Sequence, residues 1–398
     1  MNRNIICKVV IFLVLLNISL GCSVTYASNT DSTSEKIIKN AIAEQLNKNP
    51  NELTDEDYEK VEQLRIAHDE ITDINLLAKL TNLSKLSIFR IKVTDITPLA
   101  NLKNLKSLAI KETQVSDISS LANLNNLKYL ELRMTNVSDI TSLENLINLE
   151  KLDLSNMEIT DISPILNLKN LRYLTLANAQ VNDISGLANH TNLHTLSFSG
   201  KKIRDISVLE NLTNLQTLSI TGKKIRDINV LENLTNLRSL SISGTSVSNL
   251  KALANLKKIT FLDLHKTQVS DISILANLTN LQSLYISGTN VIDIKPLENL
   301  INLTTLGCEN TQISDISILA KNTNLENLFL SSTKVSDISV LANLTKLETL
   351  YLSFTNVSDI KPLMNLKLLS VLSLNNTLVS DNQILELKNS LPNVHVSR

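Results

Sequence analysis

An aspartate recurs at intervals of 22 residues along most of this chain, and this spacing constrains the fold more than any other feature. No insertion or deletion interrupts the series, and Asn replaces Asp at one position only. The series comprises Asp73, Asp95, Asp117, Asp139, Asp161, Asp183, Asp205, Asp227, Asn249, Asp271, Asp293, Asp315, Asp337, Asp359 and Asp381. A short fixed period of this kind predicts a solenoid, in which each repeat forms one coil and packs against its neighbours.

The apolar positions within one repeat predict the shape of a coil. In residues 83–104, Leu86 and Ile88 flank Ser87, and this alternation is typical of a short strand with one face buried. The first of these core positions is Leu in all fifteen repeats between residues 61 and 390. The Asp that follows is a good N-cap for a short helical turn. Four of the six prolines fall where that turn begins, and none interrupts a strand.

Stacked coils of this form predict an α/β repeat solenoid, specifically a curved leucine-rich repeat horseshoe. Its concave face would be a parallel β-sheet, and its convex face would carry short 3-10 helical turns. Residues 28–60 are predicted to be a linker and helical cap over the first repeat, because apolar residues recur there at helical spacing. Residues 61–390 would hold the repeats, and residues 391–398 would add a terminal capping strand.

The first 27 residues have the form of a secretory signal peptide, with a positive start, an apolar run and a short polar stretch. Small residues in Thr25-Tyr26-Ala27 favour cleavage after Ala27. A lipoprotein signal ending at Cys22 is the alternative, in which Cys22 would carry a lipid. The C-terminal residues 394–398 contain no sorting signal for covalent attachment to a cell wall. We therefore expect a bacterial protein that is secreted or held at the cell surface.

Charge and chemistry-bearing residues predict that the chain binds a partner and is not an enzyme. The net charge is −1, which does not favour nucleic acid, since nucleic-acid-binding proteins carry strongly basic surfaces. The five histidines are scattered, and Cys308 takes a core strand position, where a thiol is inert. The sequence has no phosphate-binding loop, CxxC motif or HExxH motif. We expect no cofactor and no metal, with the Asp series serving to cap turns.

The repeated string Leu-x-x-Leu-x-Ile-x-x-Thr-x-Val-x-Asp-Ile-x-x-Leu-x-Asn-Leu-Thr-Asn resembles the repeats of bacterial internalins. A helical cap before the repeats, behind a signal peptide, is similar to that family too, and the resemblance covers about residues 34–396. It implies a surface or secreted protein whose concave face binds a protein partner, such as a host receptor. We expect the protein to be a monomer. The alternative is an envelope scaffold that binds the producer's own surface proteins or glycans.

Seven of the nine aromatic residues in the repeats occupy strand positions that should point outward on the concave face. Exposed aromatic side chains often anchor protein interfaces. The other explanation is that aromatic residues favour strands and stack on one another. The seven candidates for partner binding are Phe89, Tyr129, Tyr173, Phe261, Tyr285, Phe329 and Tyr351.

A second candidate surface is basic, because the same cluster of cations occurs in two successive repeats. Six charges on one rim could attract an acidic partner or an anionic polysaccharide. Residues 201–217 and 223–239 match at 14 of 17 positions, so a recent duplication also explains the cluster. The six residues are Lys201, Lys202, Arg204, Lys223, Lys224 and Arg226.

Overall fold

The computed structural model describes residues 34–200 and 202–398. The predicted signal peptide, Cys22 and Lys201 lie outside these described residues. Sixteen parallel strands form one sheet, and their order in the sheet is their order in the sequence. This arrangement confirms the predicted horseshoe, since each coil pairs only with the coils before and after it.

The strands pair in a register that is set by the 22-residue period, so that Leu86 lies beside Leu64 on one side and Leu108 on the other. Leu at the first core position is at most 5 % exposed in every repeat. The strands are β1 Gln63–Ile66, β2 Lys85–Phe89, β3 Ser107–Lys111, β4 Tyr129–Glu131, β5 Lys151–Asp153, β6 Tyr173–Leu176, β7 Thr195–Ser199, β8 Thr217–Thr221, β9 Ser239–Ser241, β10 Phe261–Asp263, β11 Ser283–Tyr285, β12 Thr305–Gly307, β13 Asn327–Phe329, β14 Thr349–Tyr351, β15 Val371–Ser373 and β16 His395–Ser397.

A short 3-10 helix crosses the convex side of each coil between consecutive strands from β1 to β15. The preceding Asp holds the first residue of this helix: in the second coil, the Asp95 side chain accepts a hydrogen bond from the Thr97 backbone N–H at 2.8 Å. The N-cap residue is Ile96, so the prediction that Asp95 is the N-cap was wrong by one position. These helices span Asn75–Lys79, Thr97–Asn101, Ser119–Leu121, Thr141–Leu143, Ser163–Ile165, Ser185–Asn189, Ser207–Asn211, Asn229–Asn233, Lys251–Leu253, Ser273–Asn277, Lys295–Leu297, Ser317–Lys321, Ser339–Asn343 and Lys361–Leu363.

The second Asn of the repeated Asn-Leu-Thr-Asn string joins neighbouring coils. The Asn104 side-chain amide donates to the Thr81 carbonyl of the preceding coil at 3.0 Å, and Asn126 donates to Lys103 at 2.8 Å. Asn therefore recurs at this position because its amide links each coil to the one before it through a hydrogen bond.

A helix covers the N-terminal end of the solenoid, whereas a helix followed by a strand forms its C-terminal end. At the N-terminus, α1 Ser34–Leu46 covers the first coil with Ile38 and Ile42, which are fully buried. A 3-10 turn, Pro50–Glu52, and the short helix α2 Asp55–Glu59 follow it. At the C-terminus, α3 Asp381–Ser390 leads into the last strand. No helix among the described residues is long and apolar enough to cross a membrane.

Asp57 holds the N-terminal cap together. Its carboxylate, although its residue is buried, accepts hydrogen bonds from the amino groups of Lys48 at 2.8 Å and Lys60 at 3.0 Å. The Thr54 backbone N–H and hydroxyl also donate to it. The hydrogen bond from Lys48, helped by those from Thr54 and Lys60, holds the pKa of this carboxyl well below its usual range. The cap is therefore built around one ionised carboxylate.

Candidate functional site

Every coil presents outward side chains on the concave face, at the strand positions that alternate with the core. In β2, Leu86 and Ile88 are buried, whereas Lys85, Ser87 and Phe89 point away from the core and keep part of their surface. Because the strands lie side by side in register, residues 22 apart form continuous rows across this face. The rows bring together side chains from distant parts of the sequence.

The seven predicted aromatic residues all lie in these rows, but their exposure differs. Tyr129 is 41 % exposed and Tyr173 is 43 % exposed, so both offer free aromatic surface. Phe89 is half-buried, with the Arg90 guanidinium 4.8 Å from its ring centre. Phe261 is only 6 % exposed, which differs from the predicted exposed position, because its neighbours on the face cover it.

The aromatic residues of the C-terminal half form two pairs. The rings of Phe261 and Tyr285 have centres 5.7 Å apart and are tilted at 48°. Those of Phe329 and Tyr351 have centres 5.1 Å apart and meet edge to face. Both geometries are favourable for aromatic rings. The predicted stacking therefore does occur here, and Tyr285, Phe329 and Tyr351 remain half-buried with part of each ring accessible.

Ion pairs between neighbouring strands cover the N-terminal half of the face. Glu131 receives hydrogen bonds from Lys111 and Lys151 on the two flanking strands. Although burial opposes this, the two lysines lower the pKa of Glu131 to about 2. Arg133 lies 3.5 Å from Asp153 in the next coil. The carboxylates of this region are thus neutralised by the chain's own cations.

The middle of the face carries small hydroxyl side chains, which extend less far from the sheet than the aromatic side chains on either side. They lie at successive outward positions of β7, β8 and β9 and are half-buried or buried by their neighbours. The residues are Thr195, Ser197, Thr217, Ser219, Ser239 and Ser241.

Two carboxylates flank the first aromatic pair of the C-terminal half. The Asp263 side chain accepts hydrogen bonds from the His265 backbone N–H at 2.9 Å and the Ser241 hydroxyl at 3.0 Å. Burial raises the pKa of Asp263, and these two bonds oppose the rise. Burial also raises the pKa of the Tyr285 phenol to about 12, and the charges of Asp263 and Glu309 add to this effect. Both carboxylates are therefore close enough to act on Tyr285.

Residues in the left-handed backbone region follow most of the strands at the rim of the face, and the sequence patterns gave no reason to expect them. Most are Asn, Gly or small polar residues, but Met134 has φ 54° and Phe354 has φ 59°. Bulky side chains are unfavourable in this conformation. Phe354 is 59 % exposed and follows the strand that carries Tyr351. An aromatic residue at a position that favours Gly or Asn is the signal that could have added it to the candidates.

Five residues of the predicted basic patch, all those described, are exposed on the rim beyond the strands. None of the five forms an ion pair with another described residue. The Asp205 and Asp227 side chains beside them accept hydrogen bonds from backbone N–H groups of the adjacent turns. The residues are Lys202, Arg204, Lys223, Lys224 and Arg226.

Cys308 and His190 are both buried and take no part in these surfaces. Burial raises the pKa of the Cys308 thiol, which favours an unreactive structural thiol as predicted. His190 replaces the Leu that follows the 3-10 helix in most repeats. Its Nε2 lies 3.1 Å from the Ile165 carbonyl oxygen, and its Nδ1 has no hydrogen-bond partner among the described residues.

We expect His190 to make folding sensitive to mild acid. Burial lowers its pKa below the ordinary 6.5, so the unfolded chain binds a proton that the folded chain excludes. Stability should therefore fall as the pH drops below about 6.5, by at most about 1.4 kcal/mol per pH unit. His190→Leu should raise the melting temperature at pH 7.5 and raise it further at pH 5. Thermal unfolding followed by circular dichroism measures both shifts.

Asn322 provides the matched control, because it occupies the same repeat position and is buried but does not titrate. Its amide donates to the Leu297 and Leu300 carbonyls, and its own side-chain oxygen lacks a partner in the described structure. Asn322→Leu should change stability by the same amount at both pH values. A gain for His190→Leu that does not depend on pH would contradict the acid-sensitivity prediction.

Comparison with known proteins places these repeats in an established class. A family model described as a leucine-rich repeat region matches residues 83–236. A second, described as leucine-rich repeats in two copies, matches five overlapping windows, namely residues 235–277, 257–300, 279–321, 301–343 and 323–365. No curated protein sequence matches this chain significantly.

Solved structures resemble the whole solenoid. An internalin (InlF) from Listeria monocytogenes is 33 % identical, with a TM-score of 0.65, over 86 % of this chain and 97 % of that chain. A leucine-rich repeat protein from Leptospira interrogans is 20 % identical, with a TM-score of 0.73, over 86 % and 97 % of the two chains. The plant peptide hormone receptor RGFR1, in complex with RGF2, is 18 % identical, with a TM-score of 0.55, over 79 % and 65 %. The last two similarities show the fold alone.

Proposed function

Because this chain belongs to the internalin-like family of bacterial leucine-rich repeat proteins, we propose that it is a non-enzymatic binding protein. In this proposal it is secreted or held at the cell surface, and its concave face binds a protein of a host cell. The observation that carries the proposal is the recurrence of accessible aromatic side chains in the outward strand rows of that face. Tyr and Phe are enriched at the centres of protein interfaces, where they contribute much of the binding energy.

The size of the concave face supports a macromolecular partner. Sixteen strands at a spacing of about 4.8 Å give a face roughly 70 Å long, and the two or three outward side chains of each strand make it roughly 10–15 Å wide. The resulting area is on the order of 1,000 Å², which is similar to the roughly 800 Å² that each partner buries in a standard interface. The related fold in the plant receptor RGFR1 holds a peptide hormone, RGF2.

Two matched variants test the proposal. In one, Tyr285, Phe329 and Tyr351 are changed to Ser, and in the other Phe89, Tyr129 and Tyr173 are changed to Ser. Each replaces three accessible aromatic residues in one half of the face, whereas Phe261 stays because it is buried. We expect the wild-type protein to bind intact animal cells saturably, and at least one variant to bind about tenfold or more weakly. Flow cytometry with labelled protein measures the binding.

Circular dichroism and melting temperature must show that both variants stay folded. If both bind as well as the wild type, the concave face is not the binding surface. If the wild type does not bind animal cells, the host-cell proposal is wrong, and the surface fraction of the producing bacterium becomes the next target.

The basic patch favours a second candidate, an envelope scaffold that binds an anionic polysaccharide of the producer. The five described cations of this patch are exposed and lack acidic partners, so they are available to an anionic ligand. Salt separates the two candidates, because surface charges are screened over about 3 Å at 1 M ionic strength and about 10 Å at 0.1 M. Binding to a polysaccharide should be lost at high salt, whereas binding through the aromatic residues should persist.

A further inference from the structure

On the concave face, the side chains of Tyr285, Ser287 and Glu309 pack around Gly307. A methyl group added at Gly307 would lie 2.8 Å from Tyr285 Cδ1, 3.3 Å from the Ser287 hydroxyl and 3.4 Å from Glu309 Oε2. Gly307 does not have a positive φ, so its backbone does not require glycine. Three side chains from two neighbouring coils converge on it, and only a residue without a side chain leaves them the space.

The carboxylates around Gly307 have no cations, in contrast to most of those in the N-terminal half. None of the four acidic residues at or beside the outward strand positions from β10 to β14 forms an ion pair within residues 34–200 and 202–398. At the N-terminal end, Glu112, Glu131, Glu150 and Asp153 each pair with a Lys or Arg. The four without a cation are Asp263, Glu309, Glu326 and Glu348.

Elsewhere on this face, Arg90 is a cation of the chain itself that lies between an aromatic ring and a carboxylate. Its guanidinium lies 4.8 Å from the centre of the Phe89 ring and donates a hydrogen bond of 2.6 Å to Glu112 on the next coil. A cation between an aromatic ring and a carboxylate gains both a cation–π contact and a charged hydrogen bond. Around Gly307 the aromatic rings and the carboxylate are present, and no Lys or Arg among the described residues pairs with Glu309.

Resting on the proposed function, we infer that the bound partner places a Lys or Arg side chain against the rings of Tyr285 and Phe329, which flank Gly307, with Glu309 as its counter-ion. Tyr285 and Phe329 both pair with Gly307 in the sheet, and the edge of the Tyr285 ring lies over Gly307, so a cation of the partner meets the accessible parts of both rings. Asp263, behind Tyr285, adds negative potential. The partner segment is therefore basic at this contact.

Selection from a library of cyclic peptides displayed on phage tests this inference without knowledge of the natural partner. The immobilised wild-type protein is the target, and the tightest peptide is then measured by fluorescence anisotropy. We expect the selected peptides to share a Lys or Arg. Replacing that residue by citrulline or norleucine should weaken binding about tenfold or more, as expected for loss of a charged hydrogen bond.

Matched glutamate variants locate the contact. Glu309→Gln keeps an oxygen that can accept the hydrogen bond from Ser287, yet it removes the charge, so the peptide should bind about tenfold more weakly. Glu150→Gln removes a carboxylate of the same face that Lys128 already neutralises, so affinity should stay within about twofold. Gly307→Ala changes no charge but displaces Tyr285, and it should also weaken binding.

The possible outcomes separate this inference from the proposed function. Peptides that depend on Tyr285 and Tyr351 but contain no essential cation would overturn the inference and leave the concave face as the binding surface. Equal effects of Glu309→Gln and Glu150→Gln, or selection of no peptide, would also overturn it. Peptides that bind equally well when Tyr285, Phe329 and Tyr351 are all Ser would contradict the proposed surface itself.

Discussion

Replacement of Phe198 by Ala is expected to lower the free energy of unfolding by about 3–5 kcal/mol. Phe198 is 1 % exposed and occupies the second core position of β7, where the flanking strands carry Leu176 and Ile220. The hydrogen-bonded ladders on both sides fix the backbone, so the coil cannot collapse into the space that the ring leaves. The loss therefore includes a cavity as well as the transfer energy of the ring.

Phe198→Leu is the matched control, because aliphatic residues fill the same position in most other repeats. It should cost less than about 1.5 kcal/mol, since the volume changes little. Urea unfolding followed by circular dichroism compares the two variants. In a solenoid, stability is distributed over neighbouring repeats, so Phe198→Ala should also broaden the transition or split it into two. A single unshifted transition would show that the ring at 198 contributes little to the stack.

The repeat period predicted most of the fold because every coil buries its side chains at the same repeat positions. Leu at 86 and 108 and Ile at 88 and 110 must face the core if the strands are to pair in register, and they do. The same argument placed the aromatic residues in the outward rows. It predicted Asp95 as the N-cap, whereas the N-cap is Ile96. Periodicity locates a turn but does not fix which residue of the turn becomes its N-cap.

Properties that depend on pairs of coils were not predictable from the period. Phe261 is buried because Tyr285, one coil away, packs against its ring. Arg90 covers Phe89 because Glu112 on the next coil orients the guanidinium. Each outcome depends on which side chains become neighbours and how their rotamers fit, and a periodic pattern carries no information on that. Predicted exposure is therefore the weakest part of the sequence-based view of the candidate surface.

The charge distribution gives the two halves of the concave face different binding properties. In the N-terminal half, pairs such as Lys128 and Glu150 satisfy each other, so a partner would have to break them or bind over them. In the C-terminal half, Glu309 and its neighbouring carboxylates keep their charge available beside aromatic rings. Desolvating an unpaired carboxylate is costly unless a partner supplies a cation. The unpaired half is therefore the more selective of the two.

Gly222→Ala is expected to lower the free energy of unfolding by about 2–4 kcal/mol. Gly222 has φ 153°, a conformation that residues with a Cβ rarely adopt. An added methyl group would also lie 2.4 Å from the Gly200 carbonyl oxygen of the preceding coil. Because that oxygen belongs to the backbone, relief of the contact requires the coils to move apart, which would weaken their packing on both sides.

Gly244→Ala separates the steric effect from the loss of a glycine. Gly244 occupies the same repeat position one coil later with φ 70°, and an added methyl group there meets no atom within 4 Å. Other repeats hold Lys266 or Phe354 in a similar conformation, so Ala at 244 should cost only about 1 kcal/mol. Urea unfolding of the two variants side by side measures the difference. Equal losses would mean that the contact with Gly200 is relieved without cost and that the coils can adjust there.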